Sequence, residues 1–201
     1  PSGFTFNIKG MCAFPNDPKD TLLIAAASNS CIIQAIAPAL NPTMSFGIGN
    51  FSNLPAILIS NTSIHEKTTS LVETAKADWD AYQTSWAFTT LPLLSSDHRG
   101  ANIAETYASL RTHWHSMTDV MQRLEEENNK IFVDAYGLKD ELTPEVPIDE
   151  ITLTCNPHYR YAGNMTDEER EARLLSDTVA EFLSYAVGCM FGRYSLDKPG
   201  L

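Results

Sequence analysis

The chain has 201 residues, 43% of them apolar, and a formal net charge of −11. That much apolar sequence can bury a real core, which excludes a disordered chain, and the charge argues against a free-standing nucleic-acid binder. The charge is uneven: residues 1–77 hold four basic residues (Lys9, Lys19, Lys67, Lys76) and four acidic ones (Asp17, Asp20, Glu66, Glu73), and the rest hold 10 basic and 21 acidic.

In chain order, Phe4, Phe6 and Ile8 alternate with Thr5, Asn7 and Lys9. This period of two predicts a strand, and Gly10 makes it one arm of a hairpin over 4–14. Asn16-Asp17-Pro18 reads as a turn. Asp20 caps a helix to about Ser28, and a second helix runs from about Ser30 to Ala39 before Asn41-Pro42-Thr43 ends it. Together they form the most apolar stretch, Leu22 to Leu40. Ser28-Asn29-Ser30, Gln34 and Pro38 interrupt it short of the roughly 20 apolar residues of a membrane span, so it predicts a buried helix pair and no membrane. Met44 to Ile48 and Ile57 to Ile59 read as short strands.

The period then changes. Ser63-Ile64-His65-Glu66 has the form of a capping box, and apolar residues follow at 72, 75, 79, 82 and 86. After a Pro/Ser/Gly break, Ile103, Tyr107, Leu110, Trp114, Met117, Met121, Leu124 and Ile131 recur in steps of three and four, with Asn128 as the polar exception. Two such stripes joined by a short loop predict an antiparallel hairpin over 64–87 and 101–134, with Trp79, Tyr82, Trp86, Tyr107, Leu110 and Trp114 buried. Residues 137–166 are punctuated by Pro144, Pro147 and Pro157 around one expected strand, Ile151 to Thr154. Thr166-Asp167-Glu168-Glu169 then starts a last helix, which Gly188 and Gly192 loosen. The four cysteines (Cys12, Cys31, Cys155, Cys189) have no metal spacing and read as small buried thiols in a reducing cytoplasm.

Several short motifs imitate chemistry. Asn156-Pro157-His158-Tyr159 is close to the Asn-Pro-Pro-Tyr of amino-methyltransferases, in which the asparagine and a proline carbonyl hold the target amino group and the aromatic stacks on a flipped base. Its second proline is replaced by His158. Phe46-Gly47-Ile48-Gly49 resembles a cofactor glycine loop without the acidic residue or strand that such a loop needs. The imidazoles of His113 and His115 diverge by roughly 200° on a helix, so they share no metal. Glu125-Glu126-Glu127 reads as a solvated face, and Asp97-His98-Arg99 beside Ser95 and Ser96 has no nucleophile elbow. Tyr159-Arg160-Tyr161 and Arg193-Tyr194 set arginine beside aromatics, which suits phosphate contact and base stacking, or a salt-bridged arginine in a packed aromatic cluster.

Leu124 to Phe132, Tyr136 to Leu142, Ile151 to Thr154 with Asn156-Pro157 and Tyr159-Arg160-Tyr161, and above all Ser184 to Asp197 resemble the BREX phage-defence adenine methyltransferases of the PglX type. Pro1 to Phe14, Asn41-Pro42-Thr43 and Gly49-Asn50 resemble the part that follows that family's catalytic domain. The resemblance implies a parent enzyme that uses S-adenosylmethionine to methylate adenine N6 in double-stranded DNA. The true Asn-Pro-Pro-Tyr motif and cofactor loop would precede this region, which leaves no catalytic residue, cofactor site or metal site in the chain itself. Pro1-Ser2-Gly3 and Pro199-Gly200-Leu201 accordingly read as internal positions of a longer protein.

The expected fold is α+β and mainly helical: a small mixed recognition domain over 1–62, a helical hairpin spacer over 63–135, and a Pro-punctuated loop plus helix over 136–201. The expected DNA contacts are Asn7, Lys9, Asn41, Thr43, Asn50, Arg160, Arg193 and Tyr194. A rival reading is a protein-interaction scaffold docking other phage-defence subunits or an inhibitor through the acidic hairpin. A third is a complete small enzyme built on Asn156 to Tyr159.

Overall fold

The computed structural model of the chain describes Cys12, residues 14–41 and 47–55, Ile57, Ile59 and residues 62–193. The molecule is mainly helical. The main helices are α1 (Asp20–Ser28), α2 (Cys31–Leu40), α3 (Ile48–Ser52), α4 (Thr62–Asp80), α5 (Ile103–Tyr136), α6 (Pro157–Arg160) and α7 (Asp167–Met190). Among the described residues there is no strand. The expected hairpin over 4–14 and most of the strand over Met44 to Ile48 lie outside those residues, and Ile48 opens α3. The strand expected over Ile151 to Thr154 is corrected to a turn. Ile151 and Leu153 are wholly buried, but no neighbouring strand pairs with them, and the Asp78 carboxylate takes the amide of Thr154.

The chain divides into two compact units, each assembled from separate stretches: Pro1–Leu71 with Leu124–Glu145, and Val72–Arg123 with Val146–Leu201. The first unit is built on a cluster of Leu23, Ala26, Ala27, Ile32, Ile64, Phe132 and Val133. Asn128 and Asn129, poor helix formers in mid-helix, are buried there. Asn128 donates to the Ala26 carbonyl (3.1 Å), while Asn129 accepts from the Cys31 amide (2.9 Å) and donates to the Pro144 carbonyl (3.2 Å). The polar exception in the α5 stripe is therefore a staple to α1. Ile64 of α4 shares the cluster with Phe132 and Val133, and Lys67 bonds Glu127, so α4 and α5 run antiparallel within this unit.

The second unit holds Leu110, Trp114 and Met121 of α5, Leu174 and Tyr185 of α7, and Phe88 and Leu91 from the segment between α4 and α5, all buried. Phe88 meets Tyr185 edge to face at 5.9 Å. Three expectations are corrected here. The helix expected to reach residue 87 ends at Asp80, and Tyr82 and Trp86 sit in turns. Trp79 and Trp86 are 58% and 87% exposed, not buried. The α5 seam also drifts from the heptad positions: Thr118 and Phe132 are buried, while Met117, Leu124 and Ile131 are half-buried. A straight helix of 3.6 residues per turn slips about 20° per heptad against a period of 3.5, which moves the stripe by one position.

The helix ends are locally specified. Thr166 accepts from the Glu169 amide and Glu169 accepts from the Thr166 amide, a complete capping box. The box expected at Ser63 falls inside α4, which starts at Thr62. Helices α5 and α7 both close on a left-handed glycine, Gly137 (φ 70) and Gly192 (φ 76). The amides of Leu138 and Arg193 reach back to the carbonyls of Val133 and Gly188, at 3.0 and 2.8 Å. Gly188 is buried within α7 and does not loosen it. No single helix among the described residues is long and apolar enough to cross a membrane, and α1 and α2 bend by 68° where they meet. Cys155 is buried and Cys31 and Cys189 are half-buried, but Cys12 is exposed, against expectation.

Candidate functional site

Of the eight residues expected to face DNA, Asn7, Lys9, Thr43 and Tyr194 lie outside the described residues. Asn41 sits half-buried at the C-terminal end of α2, its amide donating to the Ala37 carbonyl. Asn50 is half-buried in α3, and its amide donates to the Gly47 carbonyl at 2.9 Å. Both belong to the first unit. Arg193, in the second unit, is exposed just past α7.

Arg160 is the candidate with the most complete surroundings. It ends α6, a single turn opened by Pro157. Its guanidinium donates to Glu181 (2.8 Å), lies 3.8 Å from Asp177, and stacks 5.5 Å from the Tyr82 ring and 5.6 Å from the Tyr161 ring. Tyr161 donates to Asp177 (2.7 Å), and the Arg173 guanidinium lies 5.0 Å from its ring. Burial, the Asp177 hydrogen bond and the nearby carboxylates push the Tyr161 phenol up despite Arg160. Burial does the same for Tyr82, with Asp78 adding to it. Both phenols therefore stay neutral. The Arg160 charge is already balanced by two carboxylates, which is the salt-bridged alternative in the sequence reading of this cluster.

Asn156-Pro157-His158-Tyr159 is likewise committed to the fold. Asn156 is 1% exposed, and its side-chain amide donates to the carbonyls of Ile148 (2.7 Å) and Ile151 (2.9 Å). Its side-chain oxygen accepts from the His158 amide as the N-cap of α6. Every polar atom that would grip a target amino group is already bonded. The tripeptide Asn156-Pro157-His158 borders an open cleft of about 240 Å³ whose other walls include Arg111, His115, Asp119 and Glu171. Tyr159 does not line it and is exposed, so the motif's tyrosine ring is not placed to stack on a base in the cleft. Its polar groups are paired: Arg111 bonds Glu171, the His115 ring lies 3.1 Å from Asp119, and the His158 ring lies 3.9 Å from Asp167. Among the described residues no group of three histidines, cysteines or carboxylates is arranged to hold a metal.

Two anchors had no signal in the sequence. Asp78, near the end of α4, is buried and accepts from the amides of Thr154 (2.6 Å) and Cys155 (3.1 Å), holding the turn that carries Asn156. Arg111 of α5 bonds Glu171 of α7 through two nitrogens. A carboxylate or guanidinium on a helix looks like surface until its partner from a distant stretch is known.

No family model matches the chain. It is 35% identical, over an alignment of 204 positions that covers the whole chain, to a protein described as adenine-specific methyltransferase PglX of Lacticaseibacillus casei (strain Zhang). It is 35% identical over 203 residues to adenine-specific methyltransferase BrxX of Escherichia coli O9:H4 (strain HS). The chain spans 16% of the length of each of these relatives.

Proposed function

We propose that this chain, which belongs to the PglX-type adenine-specific methyltransferases, is a non-catalytic DNA-recognition and spacer segment of such an enzyme. The observation that carries the reading is an end-to-end match of the chain to a sixth or so of two adenine-specific methyltransferases. The commitment of Asn156 to the backbone supports it, because in the Asn-Pro-Pro-Tyr-like motif the asparagine already donates to two carbonyls and accepts from the His158 amide. The parent enzyme would work in the cytoplasm, take its methyl group from S-adenosylmethionine bound elsewhere in the polypeptide, and modify adenine N6 in double-stranded DNA.

Within the segment, the DNA-facing part is the near-neutral stretch 1–62, a small mixed domain. Lys9 supplies phosphate contact, and Asn7, Asn41, Thr43 and Asn50 supply short polar side chains for base edges or backbone. Arg193 and Tyr194 add a second contact beyond α7. Arg160 was a candidate of the same kind, but its two carboxylate partners leave it a weak counter-charge for phosphate. Residues 63–135 and 136–201 hold this part at its distance from the catalytic domain.

The experiment is duplex binding and methylation by the full-length enzyme at fixed salt. Lys9→Ala should weaken binding to cognate and scrambled duplexes alike, and Asn50→Ala should change site preference. Wild-type behaviour of both variants on both duplexes would transfer the reading to a protein-docking scaffold. Calorimetry on the segment should show no S-adenosylmethionine uptake, and a stoichiometric micromolar site would contradict the non-catalytic role.

A further inference from the structure

One face of α7 carries no charge over most of its length. From Leu175 to Phe191 the exposed positions are Leu175, Ser176, Val179, Ala180, Leu183, Ser184, Val187, Met190 and Phe191. With the exposed Ala172, all but Met190 sort into two rows at a spacing of four. One row is large (Leu175, Val179, Leu183, Val187, Phe191), with exposures from 39% to 87%. The other is small (Ala172, Ser176, Ala180, Ser184) and lies beside it. Side chains four apart form the ridges of a helix surface, and a row of small residues beside a row of large ones is a ridge next to a groove. A second helix can lay its own ridge of large side chains in that groove, crossing α7 at about −50°.

We infer that this face of α7 is an internal packing surface, covered by an apolar helix from the part of the same methyltransferase polypeptide that lies outside these 201 residues. The inference rests on the proposed reading of the chain as a segment. The occupant follows from two observations. The relatives are about six times as long as the aligned segment, since it spans 16% of each, so most of the polypeptide available for packing is elsewhere. A second copy of the chain is disfavoured, because it would bring another −11 of charge against the first. An uncharged face with small polar Ser176 and Ser184 suits close helix approach, whereas a nucleic-acid partner would need cations that it does not offer.

The test uses full-length methyltransferase carrying Leu183→Cys or Ser176→Cys, with thiol labelling followed at that residue. Labelling is expected to be at least about tenfold slower in the native enzyme than in the same protein unfolded in urea, because a covered residue reacts only through local opening. The protection should not change across a hundredfold range of protein concentration. Native labelling within about twofold of the unfolded rate overturns the inference. Protection that disappears on dilution also overturns it, in favour of a second copy. Leu183→Ala serves as a second probe and should lower the Tm of the full-length enzyme without altering its oligomeric state; an unchanged Tm counts against the packed face. Methylation of duplex DNA, measured alongside, bears on the functional reading alone. An inactive enzyme with a protected face would sink that reading, and an active one with a freely labelled face would sink only this inference.

Discussion

A buried carboxylate is tolerated when donors answer it, and Asp78 has two, the amides of Thr154 and Cys155. Asp78→Ala leaves both amides unmet at a cost of about 1–3 kcal/mol each. Urea unfolding should show that loss, and a change under about 0.5 kcal/mol would mean that water replaces the carboxylate freely. The Arg111–Glu171 pair gives a pH signature. The hydrogen bond from Arg111 holds the Glu171 carboxyl below the usual carboxylate range against the opposing effect of burial. A group whose folded pKa is depressed adds stability above its unfolded value, about 4.3 for glutamate, and loses it as pH falls through the lower folded value. Glu171→Gln should therefore flatten the acid limb of stability against pH below about 4.3, the unfolded value. Identical limbs for the two proteins would show that the pair contributes nothing. Since Glu171 remains partly exposed, salt should shrink the effect.

At the scale of elements, α5 and α7 were readable because their signals are local. Thr166 with Glu169 specified a cap that forms as read, and Thr166→Ala should cost about 1 kcal/mol. The stripe of α5 was legible to within one helical position. Leu110→Ala and Trp114→Ala should each cost roughly 2–5 kcal/mol, whereas Trp79→Ala and Trp86→Ala should cost clearly less, because these residues are 58% and 87% exposed. A large loss at Trp86 would contradict its exposure. Trp86 misled because apolar spacing was carried past Asp80, where the helix stops, and Trp79 because it sits in the last turn of α4 on a position that stays 58% exposed. The Ile151 to Thr154 run misled for a related reason. A short apolar run is the same in a strand and in a buried turn, and Asp78, which decides between them, lies 76 residues away in sequence. The candidate site was less legible still. Arg160 beside two tyrosines has the composition of a nucleic-acid contact, but Glu181 and Asp177 come from the next helix, and no local pattern announces them. Arg160→Met should consequently lower stability more than it lowers duplex affinity in the full-length enzyme, and the reverse order would restore Arg160 to the DNA-facing set.

At the scale of the whole molecule, the distribution of charge bears most on function. The stretch up to residue 77 is electrically balanced and the remainder carries the whole −11, so only the first part offers DNA a surface without net repulsion. Most of the second part, with its paired ions and its bare α7 face, reads as support and packing for a larger enzyme. The central claim is that residues 1–62 give a PglX-type methyltransferase part of its hold on DNA. The most direct measurement is the salt dependence of duplex affinity for full-length enzyme with and without Lys9→Ala. The account predicts weaker binding to every duplex and a log K against log salt slope shallower by about 1, the loss of one phosphate contact. Identical slope and affinity in the two proteins would contradict it.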